Sequence, residues 1–504
     1  NMGLNIQSLT VAQRGIYFGH LLDESGCAYN LVQYLDIRGD FKPDIFARSI
    51  QFLLASCPSL FSVIRLSQNS PSLYIGGSPG WFLPEHDLSQ LANPMEEFTK
   101  WARAERVKSF DLEKGPLFNW QLFKLADKHF VFFQSYHHIL VDGASVYYID
   151  RKLFHTYANL LQQSHVEEEP IATSALIAEN LYLSSIKFQE DCRFWAKEFG
   201  LFDLQSSLSG KLASKSLLAN RQSYRLPATI TKKLRYLSSE LNLALPRLLI
   251  AICAVYYSRT VGREKILIEI PVACRNGYDE LLSIDMRSNI SILRLEIRNC
   301  DTLADVCRHV TQRLRSLSRH QYYRHEYLKD EYSQSEEMAF FQINILPEIG
   351  ISLPPQLVVS RKNISLGQVR DFNIAFYSEG NVGEIELIVD GNAERYTNEE
   401  LKSHLSHIIN LLKSMIDMGV NEKVCSFCLI DDYEATKLLT NFNNTHKILS
   451  SWTLCSLFSA QVERTPEAIA LIFGDEEVSY QELDRRANQL ARYLIEQNIG
   501  PEDI

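Results

Sequence analysis

His137-His138-Ile139-Leu140-Val141-Asp142-Gly143 closes an apolar, aromatic-rich run, and the chain around it is read outward from these seven residues. Phe130, Val131, Phe132 and Phe133 are β-formers, so the run predicts a buried strand ending at the two histidines. Beyond Gly143, apolar residues recur at Val146, Ile149, Leu153, Tyr157 and Leu160, the spacing of a helix that buries one face. The stretch 128–162 therefore reads as strand, loop, helix, with Asp142 at the N-cap position. A loop held between two rigid elements is a good place to fix an imidazole.

Imidazole titrates near pH ~6.5, so it can accept or share a proton at working pH without a permanent charge. His138 is the candidate for that role, whereas His137, its neighbour, points elsewhere and is expected to pack. A blander reading of the pair is two buried, hydrogen-bonded histidines at a strand end. Asp142 either holds His138, as in a triad, or is a structural anion capping the helix. Gly143 lets a substrate arm approach the backbone, or serves the turn alone. No Ser or Cys within the seven residues is placed as a nucleophile, which argues against a covalent enzyme intermediate.

The 504 residues suggest about three domain-sized units. A charge run ending in proline at 166–170 marks a lobe boundary. A second α/β block follows, with a helix over 243–261, a buried strand over 265–272 and another over 383–389. It closes with an amphipathic helix over 397–418 carrying Leu401, Leu405, Ile408 and Leu412. No sequence repeat relates the two blocks. From Asp431 the chain becomes a polar connector, and a new patterned unit begins at Leu454. Roughly 50 residues cannot bury a full enzyme core, so this tail is an appendage or the start of another domain. The expected division is a first lobe at 1–170, a second at 171–430, a linker at 431–453 and the tail unit at 454–504.

Net charge of -10 without a basic stripe argues against nucleic-acid binding. The apolar run 248–257 is about half a bilayer span and reads as a core helix, not a membrane segment. No secretory signal follows Met2, and Asn1 before it reads as an added residue, so a cytoplasmic location is expected. The 10 cysteines, scattered apart from Cys425 and Cys428, are then reduced thiols. Cys425-Ser426-Phe427-Cys428 has zinc-ligand spacing but no second pair, and is expected to pack on the core. His404 and His407 share a helix face without further ligands, so no metal site is expected. Gly474-Asp475 reads as a hairpin turn.

The His137–Gly143 stretch resembles the HHxxxDG signature of CoA- and carrier-dependent acyltransferases, and further stretches resemble condensation domains of nonribosomal peptide synthetases over most of 8–430. Leu9-Thr10-Val11-Ala12-Gln13-Arg14-Gly15-Ile16-Tyr17-Phe18 looks like the opening motif of these domains, and Pro271-Val272-Ala273-Cys274-Arg275 like their P-V-x-x-R segment. Ser288-Asn289-Ile290 looks like the V-N-T segment, and Arg319-His320-Gln321-Tyr322-Tyr323 like H-Q-x-Y, with Phe341-Gln342-Ile343-Asn344 the segment after it. Two departures are Phe61, where arginine is common, and Ile290-Ser291-Ile292-Leu293 in place of T-L-P-L. In the tail, Arg464-Thr465-Pro466-Glu467-Ala468 and Val478-Ser479-Tyr480-Gln481-Glu482-Leu483 resemble the opening of an adenylation domain, without its nucleotide-binding and catalytic parts.

This resemblance implies a mixed α/β fold of two chloramphenicol-acetyltransferase-like lobes in a V-shaped pseudo-dimer. It implies amide formation between a donor thioester and a carrier-bound aminoacyl acceptor, as in antibiotic or siderophore assembly. The 4′-phosphopantetheine arms would come from donor and acceptor carrier domains, with the rest of an adenylation domain as a further partner and the chain acting as a monomer. His138 would be catalytic, with His137, Asp142 and Gly143 supporting it. Arg275 is the position that pairs with the motif aspartate in the family. Ser145, Asn289 and Asn344 would lie on the tunnel or substrate side. Because the opening motif falls close to Met2, a donor carrier is expected on a separate protein, or acyl-CoA serves as donor in a starter reaction. Other readings are an acyl-CoA:alcohol O-acyltransferase of the same superfamily, an epimerisation domain, or a non-catalytic carrier-binding module.

Overall fold

The computed structural model describes residues 5–76, 80–164, 174–199, 207–211, 218–275, 278–332, 341–346, 353–379, 384–448, 451–500 and 502–503. The expected lobe boundary at 166–170 lies outside the described residues, as does Gly383. The chain forms two compact units, Asn1–Asp431 and Asp432–Ile504.

In the larger unit the aromatic run makes the strand His129–His137, which pairs antiparallel with Asn30–Gly39 on one side and Phe118–Ala126 on the other. Central in its sheet, the strand is apolar on both faces: Phe130 to Phe133 are all buried. The helix that follows, Gly143–Leu161, packs its periodic face inward, with Ile149, Leu153 and Tyr157 fully buried. Each such side chain contributes roughly 1.5–3 kcal/mol of burial free energy. Strand and helix thus fix both ends of the five-residue loop between them.

A second sheet of six strands runs in the order Asn289–Glu296, Lys265–Val272, Phe341–Ile345, Phe372–Glu379, Glu384–Asn392, Ala219–Leu226. The helix Leu245–Val261 is buried from Leu248 to Ser258, which makes it the core helix of this lobe. Among the described residues no single helix is long and apolar enough to cross a membrane. The helix Asn398–Met418 starts where its sequence pattern does. Thr397 Oγ1 accepts the Glu400 N–H while Glu400 Oε2 accepts the Thr397 N–H.

The strand Leu357–Leu366 departs from the linear division into lobes. It lies within 171–430 but joins the first sheet, antiparallel to Asn30–Gly39, with a bulge between Asn363 and Ser365. Its own residues give no sign of this, because a strand's pattern encodes which face is buried and not which sheet it enters. The cysteine pair also differs from expectation: Cys425 and Cys428 are exposed, in a turn where Val424 and Phe427 are the buried residues.

The smaller unit opens with short helical segments Asp432–Thr436 and Lys437–Asn441, followed by a helix Leu454–Arg464, a hairpin of Ile469–Phe473 and Glu476–Ser479, and a helix Tyr480–Glu496. Gly474 turns the hairpin at φ +61°, a conformation glycine adopts without strain. Leu471 and Phe473, on one face of the first strand, are 50% and 86% exposed, so the hairpin carries an apolar face that this unit does not cover.

Candidate active site

The five-residue loop is ordered by hydrogen bonds that assign tautomers to both histidines. His138 Nδ1 lies 3.0 Å from the Val141 carbonyl. A carbonyl only accepts, so Nδ1 carries the hydrogen and Nε2 keeps its lone pair. Burial holds the His138 imidazole below its ordinary value, outweighing the raising effects of its backbone hydrogen bonds and of the Asp142 charge. The side chain is thus neutral at neutral pH, with a basic nitrogen.

His137 is enclosed, at 0% exposure. Its Nδ1 accepts the Ile139 N–H at 3.2 Å, so its Nε2 donates to His20 Nδ1 at 3.2 Å. Burial, and then the neighbouring His20 and His138, push its imidazole well below the ordinary value. His20, on the helix Val11–Leu22, had no signal in the sequence beyond its residue type. On the same helix Gln13 Nε2 donates to the Ile139 carbonyl at 3.2 Å. His137 and Gln13 therefore tie the loop to this helix.

Asp142 does not touch His138 through a hydrogen bond. Its side chain is fully buried and lies within 3.0 Å of five donor groups. Oδ1 faces the N–H and Oγ of Ser145; Oδ2 faces Arg275 Nη1 at 2.7 Å and the backbone N–H groups of Arg287 and Ser288. Burial opposes ionisation here, yet the Arg275 guanidinium and these hydrogen bonds hold the carboxyl below its ordinary value. Arg275 is equally enclosed. It also donates to the carbonyls of Ala273 and Asp285, to Ser145 Oγ and to Ser283 Oγ. The motif loop of the first lobe is thereby locked to 273–288 of the second.

The structure gives two of the remaining candidates a different place from the one expected. Ser145 is 0% exposed, and its hydroxyl serves Asp142, Arg275 and Asp285, so it belongs to the lock and not to a substrate-facing wall. Asn289, 3% exposed, donates to the carbonyls of Gln321 and Tyr323 and accepts the His325 N–H. It braces one segment against another. Apart from Asp142, the partners of both side chains lie far along the chain, which sequence spacing cannot display. Ser145 had one legible clue, its position three residues after an N-cap aspartate. Asn344 is partly buried on the strand Phe341–Ile345. Gly143 is exposed, and a Cβ built there would meet nothing within 4 Å.

Among the described residues no group of three His, Cys, Asp or Glu side chains is arranged to hold a metal ion. His404 Nδ1 is instead hydrogen-bonded to the Tyr256 hydroxyl at 2.6 Å.

Two α/β lobes, a buried carboxylate–guanidinium lock between them and a neutral imidazole beside the lock define a two-lobed acyltransferase domain. The chain belongs to the condensation-domain family, which matches residues 4–439, and residues 458–504 match the AMP-binding enzyme family. It is 28% identical over 503 residues to a dimodular nonribosomal peptide synthase of Bacillus subtilis (strain 168), covering 99% of this chain and 21% of that protein. Enterobactin synthase component F of Escherichia coli (strain K12) is 24% identical over 510 residues, covering 98% of this chain and 39% of that one. The chain therefore spans well under half the length of either relative. Among solved structures, the first condensation domain of the calcium-dependent antibiotic synthetase, in complex with a substrate analogue, superposes with a TM-score of 0.79 at 22% identity. That match covers 86% of this chain and 100% of that one. A mutant starter condensation domain of rhizomide synthetase in complex with an acyl-CoA gives 0.76 at 24% identity, covering 85% and 98%.

Proposed function

We propose that this chain forms amide bonds in nonribosomal peptide synthesis, transferring an acyl group from a carrier-protein thioester to the amine of a carrier-bound aminoacyl acceptor. The neutral His138, with its lone pair on Nε2 and its ring fixed through Nδ1, carries the reading. The acceptor amine attacks the thioester carbonyl carbon, forming the C–N bond as the carbonyl electrons move to oxygen. His138 Nε2 takes or shares the ammonium proton. Collapse of the tetrahedral species breaks the C–S bond, and the proton goes to the departing thiolate. Because a carboxylate hydrogen-bonded to a guanidinium and three backbone amides has no proton to trade, Asp142 contributes architecture and not acid–base chemistry. Gly143, open on its Cα side, leaves room for an arm passing the motif.

The thiol arms are those of 4′-phosphopantetheine on donor and acceptor carrier domains; acyl-CoA ends in the same arm and is the alternative donor. The partners are those two carrier domains and the remainder of an adenylation domain. A chain acting as a monomer in the cytoplasm, with neither membrane nor nucleic acid as partner, suits the ten free cysteines and the net charge of -10.

The test is amide product, read by mass spectrometry, with the acceptor loaded on a carrier in trans and acyl-carrier and acyl-CoA donors offered separately. Product is expected with one of the donors, falling about 10²- to 10⁴-fold in His138→Ala. Undiminished turnover in that variant sinks the assignment. Carrier binding without any product would mark a recruitment module instead.

A further inference from the structure

Glu269, Gln342 and Asn373 lie in one register row across three adjacent strands of the second sheet, so their side chains share a face. Glu269 and Asn373 are 5% and 4% exposed, yet Glu269 Oε1 and Asn373 Oδ1 accept no hydrogen bond within the protein. Arg370 Nη1 and His325 Nε2 stand 3.9 and 4.0 Å from that Oε1, within ion-pair range but beyond hydrogen-bonding distance. The row opens on a small cavity of about 40 Å³, lined also by Gln368, Arg370 and Asp371 and by the apolar Ile290, Val369 and Phe372. This wall starts beside the motif histidine: a Cβ at Gly367 would lie 3.6 Å from His138 Cδ2, and the cavity-lining residues follow directly at 368–373.

Buried acceptors without a donor are costly, and proteins satisfy them unless the donor arrives from outside. Two such oxygens, one of them a carboxylate, call for a hydrogen-bond donor, and the volume admits only a small one. We propose that Glu269 and Asn373 form a subsite for a primary ammonium group on one of the two substrates, which makes them specificity-determining residues for the reaction proposed above, on which this inference rests. A carboxylate and an amide oxygen together suit an ammonium better than a neutral alkyl end, because the alkyl end leaves both oxygens unpaired. The ammonium is carried by the donor acyl unit or by the acceptor side chain.

Ornithyl and norleucyl units differ only by ammonium against methyl at the chain end and are offered in two arms. One arm varies the acceptor against a constant donor; the other varies the donor, N-formylated, against a constant acceptor. In one arm the ornithyl unit should be preferred, and Glu269→Gln should cut that preference about 10- to 100-fold while norleucyl turnover holds. Asn373→Ala removes the second acceptor and serves if Glu269→Gln does not fold. No preference in either arm, or an equal loss for both units, overturns the proposal and leaves a cavity filled by water. Binding of ornithinamide and norleucinamide to the wild type and Glu269→Gln by calorimetry is read in parallel. If no substrate pair gives product the functional reading fails, and tighter, Glu269-dependent binding of ornithinamide still decides the subsite, equal binding overturning it.

Discussion

Asp142 and Asp150 are fully buried carboxylates about two turns apart, one capping a helix and the other inside it, each reaching an arginine from the second half of the chain. Asp142 lies within 3.0 Å of five donor groups, three of them backbone amides. Asp150 has Gln33, Gln134 and Arg361, all side chains. The outcome differs in sign. Burial raises the Asp150 carboxyl, and Arg361 with the two amides does not fully offset it. At Asp142 the same penalty is overcome. Backbone amides held by a helix start and by the 285–288 turn lose little entropy when they bind an anion, whereas long side chains must be ordered first. One site requires its charge; the other only tolerates it.

The largest expected effect follows from removing the lock. Arg275→Ala leaves Asp142 buried without its cation, and Asp142→Asn leaves Arg275 with only the Asp285 carboxylate, 3.5 Å away. Each should cost about 3–5 kcal/mol in urea unfolding, enough to appear first as poor solubility. A well-folded, merely slow Arg275→Ala enzyme would break the contrast. Asp150→Asn should cost less, about 1–3 kcal/mol, because the carboxyl it replaces is already penalised and the amide keeps part of the hydrogen bonding. Equal losses at the two positions would show that donor chemistry does not separate them.

Acidity sharpens the comparison further. The Asp142 carboxyl is lowered in the folded state, so its stabilisation is fully present above the unfolded value near pH ~3.9 and is lost as pH falls through the folded one. The Asp150 carboxyl is raised, so its ionised form is a cost at neutral pH that shrinks once pH falls below that raised value and is gone below the unfolded one. The stability gap between wild type and Asp142→Asn should therefore shrink on acidification. Measured against Asp150→Asn, the wild type should gain. Slopes of the same sign in the two series would overturn the assignment of directions.

How much of this was legible beforehand follows the same division. The strand, loop and helix around the motif were readable, because burial on both faces and a helical period are local patterns. Arg275 as the partner of Asp142 came from the family resemblance; no spacing places an arginine 133 residues away against a carboxylate. Asp150 and Arg361 went unnoticed. Asp150 sits among the buried residues of its helix, and Arg361 comes from the strand Leu357–Leu366, whose membership of the first sheet is a tertiary fact. The resemblance puts Ser145 and Asn289 on the substrate side. The fold engages Ser145 with the Asp142–Arg275 pair and Asp285, and Asn289 with the backbone of Gln321, Tyr323 and His325, long-range partners that only the folded chain brings near.

The smallest effect on stability concerns Gly143, the residue next to Asp142, and it separates fold from function within a single helix start. Its backbone lies outside the positive-φ region and a Cβ there would meet nothing, so Gly143→Ala should leave stability unchanged or raise it by about 0.4–1 kcal/mol through the unfolded chain. If the space beside Gly143 serves a passing thioester arm, turnover in that variant should fall roughly tenfold with the melting temperature preserved. Loss of both would return the glycine to the turn, and loss of neither would free it from either role. The expected result, activity lost and stability kept, makes adjacent residues opposites. Asp142 would then be held by the fold's need for a buried anion, and Gly143 by the substrate's need for a missing side chain.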